Sequence, residues 1–362
     1  MEELGTLVES AVQGKDTPPS LLRLMNQAPG TVSDFLAERF GRCTRREECQ
    51  RIAQLLNEVG PGGIAHLLEM LRYGPPGQAA NSAGLLSRLD CSFLEVPLSV
   101  RLPGWSRLHQ DSLIRQISLG GAARRGRLLA RIFRHFDAAL LGEVLDEIGL
   151  AGDTSVSPLL EKLAVGEAPQ AADPYVRVKA IEALARLRSA SAIPLLRSIA
   201  TARQIIGWAH EEEMRLVALQ ALERIDPEWT RHYLPYSRIR PRDFSMAPLE
   251  PQFDSPWARA RRYPRVVLNK SLGMIAETAK GSVRLQAGVM SLGGGMASTE
   301  APLAGGVQAA VSFEAGWRNM TARVLFREPV GNQRSFEIIG ISLNERARLR
   351  RVLAGAASNN HP

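Results

Sequence analysis

The sequence predicts a chain in two parts: an all-α helical repeat array, then a small antiparallel β-barrel closed by a C-terminal helix. Three observations predict it. Apolar residues recur at helical spacing up to about residue 233, a proline-rich stretch follows, and the period then falls to two. With 362 residues, 45% of them apolar and 23% charged, the chain is long enough for two cores and too apolar for a disordered protein.

The helical part is clearest at residues 173 to 200, DPYVRVKAIEALARLRSASAIPLLRSIA. Val176, Ala180, Ala183, Leu184 and Leu187 fall on one helical face, and a second apolar helix follows around Ile193, Leu196 and Ile199. The pattern recurs 38 residues on: Asp173 falls on Glu211, Val176 on Met214, Arg177 on Arg215, Ala180 on Ala218, Ala183 on Ala221, Leu184 on Leu222 and Leu187 on Ile225. Upstream, VSPLLEKL (156–163) and IAHLLEML (64–71) match AIPLLRSI (192–199). Such a period means stacked hairpins, because one hairpin cannot bury its apolar face alone. The Asp-Pro-x-Val-Arg opening with small residues at Ala180 and Ala183 resembles HEAT-type repeats, clearest over residues 140–232 and diverged back to about residue 44. The resemblance implies a protein-binding surface for a partner that the sequence does not identify. EVPLSVRLPGW (95–105), with two prolines, is expected to interrupt the stack as a loop or insertion.

Prolines 235, 241, 248, 251 and 256 mark an extended linker. The expected division is 1–233 for the repeats, 234–258 for the linker, 259–356 for the barrel and 357–362 for a disordered tail. Strands are expected in SLGMIAET, SVRLQAGVMS, VQAAVSFEA, MTARVLFRE and RSFEIIGIS, separated by glycine-containing turns, five or six in all. Asn344 offers an N-cap for the closing helix ERARLRRVLAG.

The charge is uneven. From Trp257 onward there are 15 Lys and Arg against 6 Asp and Glu, a net +9, while residues 1–256 carry 30 against 31, a net −1. The basic last third favours an anionic partner. Arg346 and Arg350 share a face of the closing helix, which also carries Arg348 and Arg351. That face is read as solvated, or as a dock for nucleic acid or an acidic partner. Low aromatic content without an aromatic–basic strand pattern argues against nucleic acid as the ligand. No stretch approaches the roughly 18–20 apolar residues of a membrane span, and the acidic N-terminus lacks a leader pattern, so the expected compartment is the cytoplasm. Cys43, Cys49 and Cys91, without a CxxC spacing, are expected to be reduced thiols, with no metal site.

Enzyme signatures are missing. GxSxG fails because position 289 is valine, no phosphate-loop GxxxxGK[ST] occurs, the glycines do not complete GxGxxG, and HEEEM at His210 lacks the second histidine of HExxH. The remaining histidines, at 66, 109, 135, 232 and 361, are scattered. Glu211 to Glu213 read as favourable charge at a helix N-terminus. The expectation is a non-enzyme that needs no cofactor.

RARRYPR (259–265) places Arg261 and Arg265, with three residues between them, just before the first strand. Planar guanidinium groups pair with phosphate oxygens and stack on purines. VMSLGGG (289–295) follows about 25 residues later at a strand end. In that order the two motifs resemble the PilZ domain, the bacterial receptor for cyclic di-GMP, which carries RxxxR before its first strand and [DN]xSxxG across a barrel turn. The likeness covers residues 259 to about 354. It implies that Arg261 and Arg265 grip phosphate and stack on guanine, Ser291 hydrogen-bonds phosphate or base, and Gly294 lets the backbone turn closely. Arg262 and Arg259 add to the field.

Val289 departs from the family, which has Asp or Asn there to accept from the guanine edge. Losing one buried acceptor costs about 1–3 kcal/mol. Three readings stay open: weak cyclic di-GMP binding, a protein-binding barrel without nucleotide, or a different anion. VMSLGGG can also serve simply as a glycine-rich barrel corner. The favoured reading is a cytoplasmic signalling adaptor in which cyclic di-GMP at the barrel is coupled to partner binding at the repeats. The alternative is an interaction scaffold whose barrel has lost its nucleotide.

Overall fold

In the computed structural model the chain is helical over its first two-thirds and ends in a closed six-stranded antiparallel barrel with a C-terminal helix. The residues described are 2–14, 16–43, 45–89, 94–119, 124–244, 263, 265–279, 281–299, 303–314 and 319–358. By compactness the chain divides into Met1–Asp153 and Thr154–Pro362, so the last repeats and the barrel form one unit.

The first unit holds helices α1 (Glu2–Gln13), α2 (Pro19–Gln27), α3 (Pro29–Arg42), α4 (Arg46–Val59), α5 (Pro61–Tyr73), α6 (Pro76–Leu86), α7 (Glu95–Arg101), α8 (Arg107–Leu119), α9 (Arg125–Ile132) and α10 (Leu141–Ala151). Leu36, Phe40, Ile52, Leu55, Leu56 and Leu67 are fully buried in its core. Two expectations are corrected here. EVPLSVRLPGW is not a loop: it forms α7 and a 3₁₀ turn, Leu102–Gly104. Pro97 lies in the first turn of α7, where the amide has no intrahelical partner to lose, and Pro103 opens the 3₁₀ turn. Cys43 and Cys49 are joined as a disulfide across the α3–α4 connection. The short connection holds their Cα atoms 6.1 Å apart, within the reach of such a bond. Cys91 lies outside the described residues.

The second unit opens with α11 (Ser157–Val165), α12 (Pro174–Leu187), α13 (Ile193–Thr201) and α14 (Glu212–Ile225). Helices α12 and α14 keep the register of the 38-residue repeat, and Asp173 caps α12 by accepting from the Tyr175 amide at 2.9 Å. After α15 (Pro227–Tyr233), the first part of the proline-rich stretch is folded, not extended. Leu234–Tyr236 is a 3₁₀ turn and Pro241–Phe244 is the one-turn helix α16. Each proline sits in a first turn, where its fixed φ suits the helix. Residues 245–258 of this stretch lie outside the described residues.

The barrel strands are β1 (Val266–Thr278), β2 (Gly281–Ser291), β3 (Gly294–Ser298), β4 (Gln308–Phe313), β5 (Met320–Val330) and β6 (Gln333–Ile341), closed in the order β1-β2-β3-β6-β5-β4. Inward residues alternate along each strand; Met274, Met290, Val311, Phe313, Phe326 and Phe336 fill the interior. Five strands follow the period-two runs, whereas β3, GGMAS, is too short and glycine-rich to signal itself.

Helix α17 (Leu343–Ser358) closes the unit. Ser342, not Asn344, caps it: the Glu345 amide donates to Ser342 Oγ at 3.2 Å, and Ser342 Oγ donates back to Glu345 Oε2 at 2.8 Å. The Glu345 carboxylate also accepts from the Ser342 backbone, which with the amide-to-hydroxyl bond makes a capping box.

Candidate functional site

The solvated reading of the α17 face that carries Arg346 and Arg350 is overturned. Arg346 and Arg350 are 1% and 0% exposed. Arg346 donates to Glu182 Oε1 on α12 at 2.9 Å and pairs with Glu213 on α14. Arg350 donates through Nε to Glu213 Oε2 at 3.0 Å, and its Nη1 lies 3.1 Å from Asp243 of α16. Burial works against the charge of Arg346, but Glu213 and Glu182 outweigh it and hold its pKa above the ordinary arginine value. Glu212 reaches Arg350 at 3.4 Å, and Glu213 is buried. These glutamates of α14 are thus partners of α17, not only favourable charges at a helix N-terminus. The acidic partner of Arg346 and Arg350 is the chain's own repeats.

Tyr263 joins this seam to the candidate nucleotide site. It stands in the middle of RRYPR, ahead of β1, and is buried. Lys179 of α12 donates to its hydroxyl at 2.7 Å, and the hydroxyl donates to Glu182. The Lys179 ammonium sits 4.7 Å from the Tyr263 ring centre, a cation–π contact. The same ring packs on Gly293, where an added Cβ would come within 2.7 Å of it. Tyr263 therefore rests on the β2–β3 turn while its hydroxyl is fixed by the repeats.

The turn itself is VMSLGGG. Ser291 pairs with Gly294 across the β2–β3 hairpin, with Leu292 and Gly293 between them. Ser291 Oγ donates to the Gly294 carbonyl at 3.1 Å and accepts from the Gly293 amide at 3.3 Å. The Gly293 carbonyl accepts from the Ile338 amide at 2.9 Å, tying the turn to β6. Gly294 has φ +145°, and a Cβ there would lie 2.1 Å from the Phe336 carbonyl oxygen. Only glycine fits.

Of the arginines read from RARRYPR, Arg265 is described; Arg259, Arg261 and Arg262 lie outside the described residues. Arg265 is exposed, with Nη1 3.9 Å from the Met296 sulfur. Met296 is the cross-strand partner of Val289, and Val289 pairs in turn with Val267. Because their neighbours Val266, Met290 and Ala297 point into the core, these three side chains share the outward face. Arg265 and position 289 thus lie against one patch, with Ser291 and Gly294 at its end.

The backbone around Val289 is irregular. The β1–β2 register jumps between Val267 and Leu272, and the β2–β3 register shifts between Ala287 and Val289. Gly288 sits in that bulge with open space where a side chain would be. Asn269, Lys270 and Ser271 of β1 are exposed alongside. Sequence reasoning did not single out Tyr263, Met296 or Val267. Their outward alternation on β1 and β3 carries part of that signal, but the partners of Tyr263 lie more than 80 residues away.

No protein-family model and no curated protein matches the chain. Among the described residues no helix is long and apolar enough to cross a membrane, and no group of three His, Cys, Asp or Glu is placed to hold a metal ion.

Proposed function

We propose that this chain is a non-enzymatic bacterial signalling adaptor: a PilZ-like barrel that binds cyclic di-GMP, coupled to HEAT-like repeats that bind a protein partner. The observation that carries the reading is the convergence of Arg265 with Val289 and Met296 on one outward barrel face, with the buried Ser291–Gly294 turn at its end. In this reading, Arg261, Arg262 and Arg265 meet phosphate, with Arg259 adding to the field. Tyr263 supports the coupling, since it touches both the turn and α12.

A second reading is favoured by a different observation: the Ser291 hydroxyl is already engaged within its own turn, and Val289 offers no acceptor. On that reading the barrel is a protein-interaction scaffold without nucleotide. Calorimetric titration of the full chain with cyclic di-GMP separates the two. Heat that is lost in Arg265→Ala supports the receptor; no heat from the native chain supports the scaffold.

The compartment that goes with the receptor is the cytoplasm. The Cys43–Cys49 bond weighs the other way, and titration of free thiols in freshly isolated protein tests it.

A further inference from the structure

We propose that the strip Val267–Val289–Met296, with Arg265 at its end, takes cyclic purine dinucleotides by the face of the ring and does not select guanine over adenine. The inference rests on the barrel being a cyclic dinucleotide receptor, and it names which members of that class the site accepts.

Guanine and adenine have similar faces and different edges. Selecting one requires a fixed donor or acceptor set against the edge, and a site built that way rejects the wrong partner strongly. Stacking, in contrast, tolerates any base. Where the family it resembles carries an Asp or Asn against the base edge this chain has Val289, and its cross-strand neighbours Val267 and Met296 are apolar as well. Val267 is 61% exposed, so the strip is open to a ligand. The Arg265 guanidinium lies against Met296, where it can cover a purine face or reach a phosphate.

Four of the polar side chains nearby do not restore a choice. Ser291 Oγ is engaged with Gly294 and Gly293. The Glu337 carboxylate, on the same face of β6, is paired with Arg327. Ser335, next in the row after Met296, and Asn269, on the β1 bulge, each both donate and accept, so they serve either base.

Calorimetric titration of the full chain with cyclic di-GMP, cyclic di-AMP and the mixed cyclic GMP–AMP tests this. The three dissociation constants are expected within about fivefold of one another, while Val289→Asp, or Val289→Asn should the charge disturb folding, brings a preference of roughly ten- to a hundredfold for cyclic di-GMP. A native preference above about tenfold for either base overturns the inference and leaves the receptor standing. Equal binding that neither substitution changes also overturns it, because position 289 would then not face the base. No heat with any of the three removes the receptor reading and this inference with it.

Discussion

Arginine serves two opposite purposes within the same hundred residues. On α17, Arg346 and Arg350 are sealed among Glu182, Glu213 and Asp243, where the ion pairs hold barrel and repeats together. Ahead of β1, Arg265 is exposed beside an apolar strip. The contrast teaches that a basic segment is not in itself a binding surface. The seam neutralises its cations internally, while Arg265, on the outer face of the barrel, is exposed to solvent.

The contrast can be broken most severely at Glu213, which serves both buried arginines. Glu213→Ala leaves two guanidinium groups short of a partner and is expected to cost about 3–5 kcal/mol in chemical denaturation. A change below about 1 kcal/mol would mean that the seam is not a structural element.

Tyr263→Phe keeps the ring on Gly293 and removes the hydroxyl shared by Lys179 and Glu182. Hydrogen bonds to charged groups contribute about 1.5–3 kcal/mol each, and a loss of that order is expected from denaturation midpoints. Hydrogen exchange should rise in α12, the side of the contact that belongs to the repeats.

Gly294→Ala attacks the buried turn at the end of the open face. Positive φ and the contact with the Phe336 carbonyl predict a loss of about 1–3 kcal/mol, with circular dichroism of the barrel disturbed and helical content kept.

The smallest effect is at the Glu345 cap. Burial pushes its carboxyl up, but hydrogen bonds from Thr321 and Ser342 outweigh burial and leave its pKa below the usual value. Since the folded pKa lies below the unfolded one, the contribution is present above an unfolded value of about 4.3 and is lost as pH falls through the folded pKa. Glu345→Gln should remove this acid-side loss, with an effect at neutral pH under about 1 kcal/mol because solvent screens the group. Denaturation midpoints between neutral and acid pH read the difference.

Much of the architecture was legible. The 38-residue register places α12 and α14, and the change of period locates the barrel. Strand β3 was not, because five residues with two glycines carry no alternation. The prolines of 95–105 and 234–244 misled for one reason: proline breaks a helix interior but suits a first turn, and its position within the turn is not visible in composition. At the candidate site, Ser291 and Gly294 were legible as a turn, while the outward strip needed the register of three strands.

The sequence by itself determined the order of elements, the repeat, the basic last third and the valine at position 289, since periodicity, composition and residue identity are local properties. Only the tertiary structure decided which arginines are buried and which are exposed. Arg346 finds Glu213 across 133 residues and Glu182 across 164. No local pattern encodes such a meeting, because the burial of a charge depends on partners that the folded chain alone brings within reach.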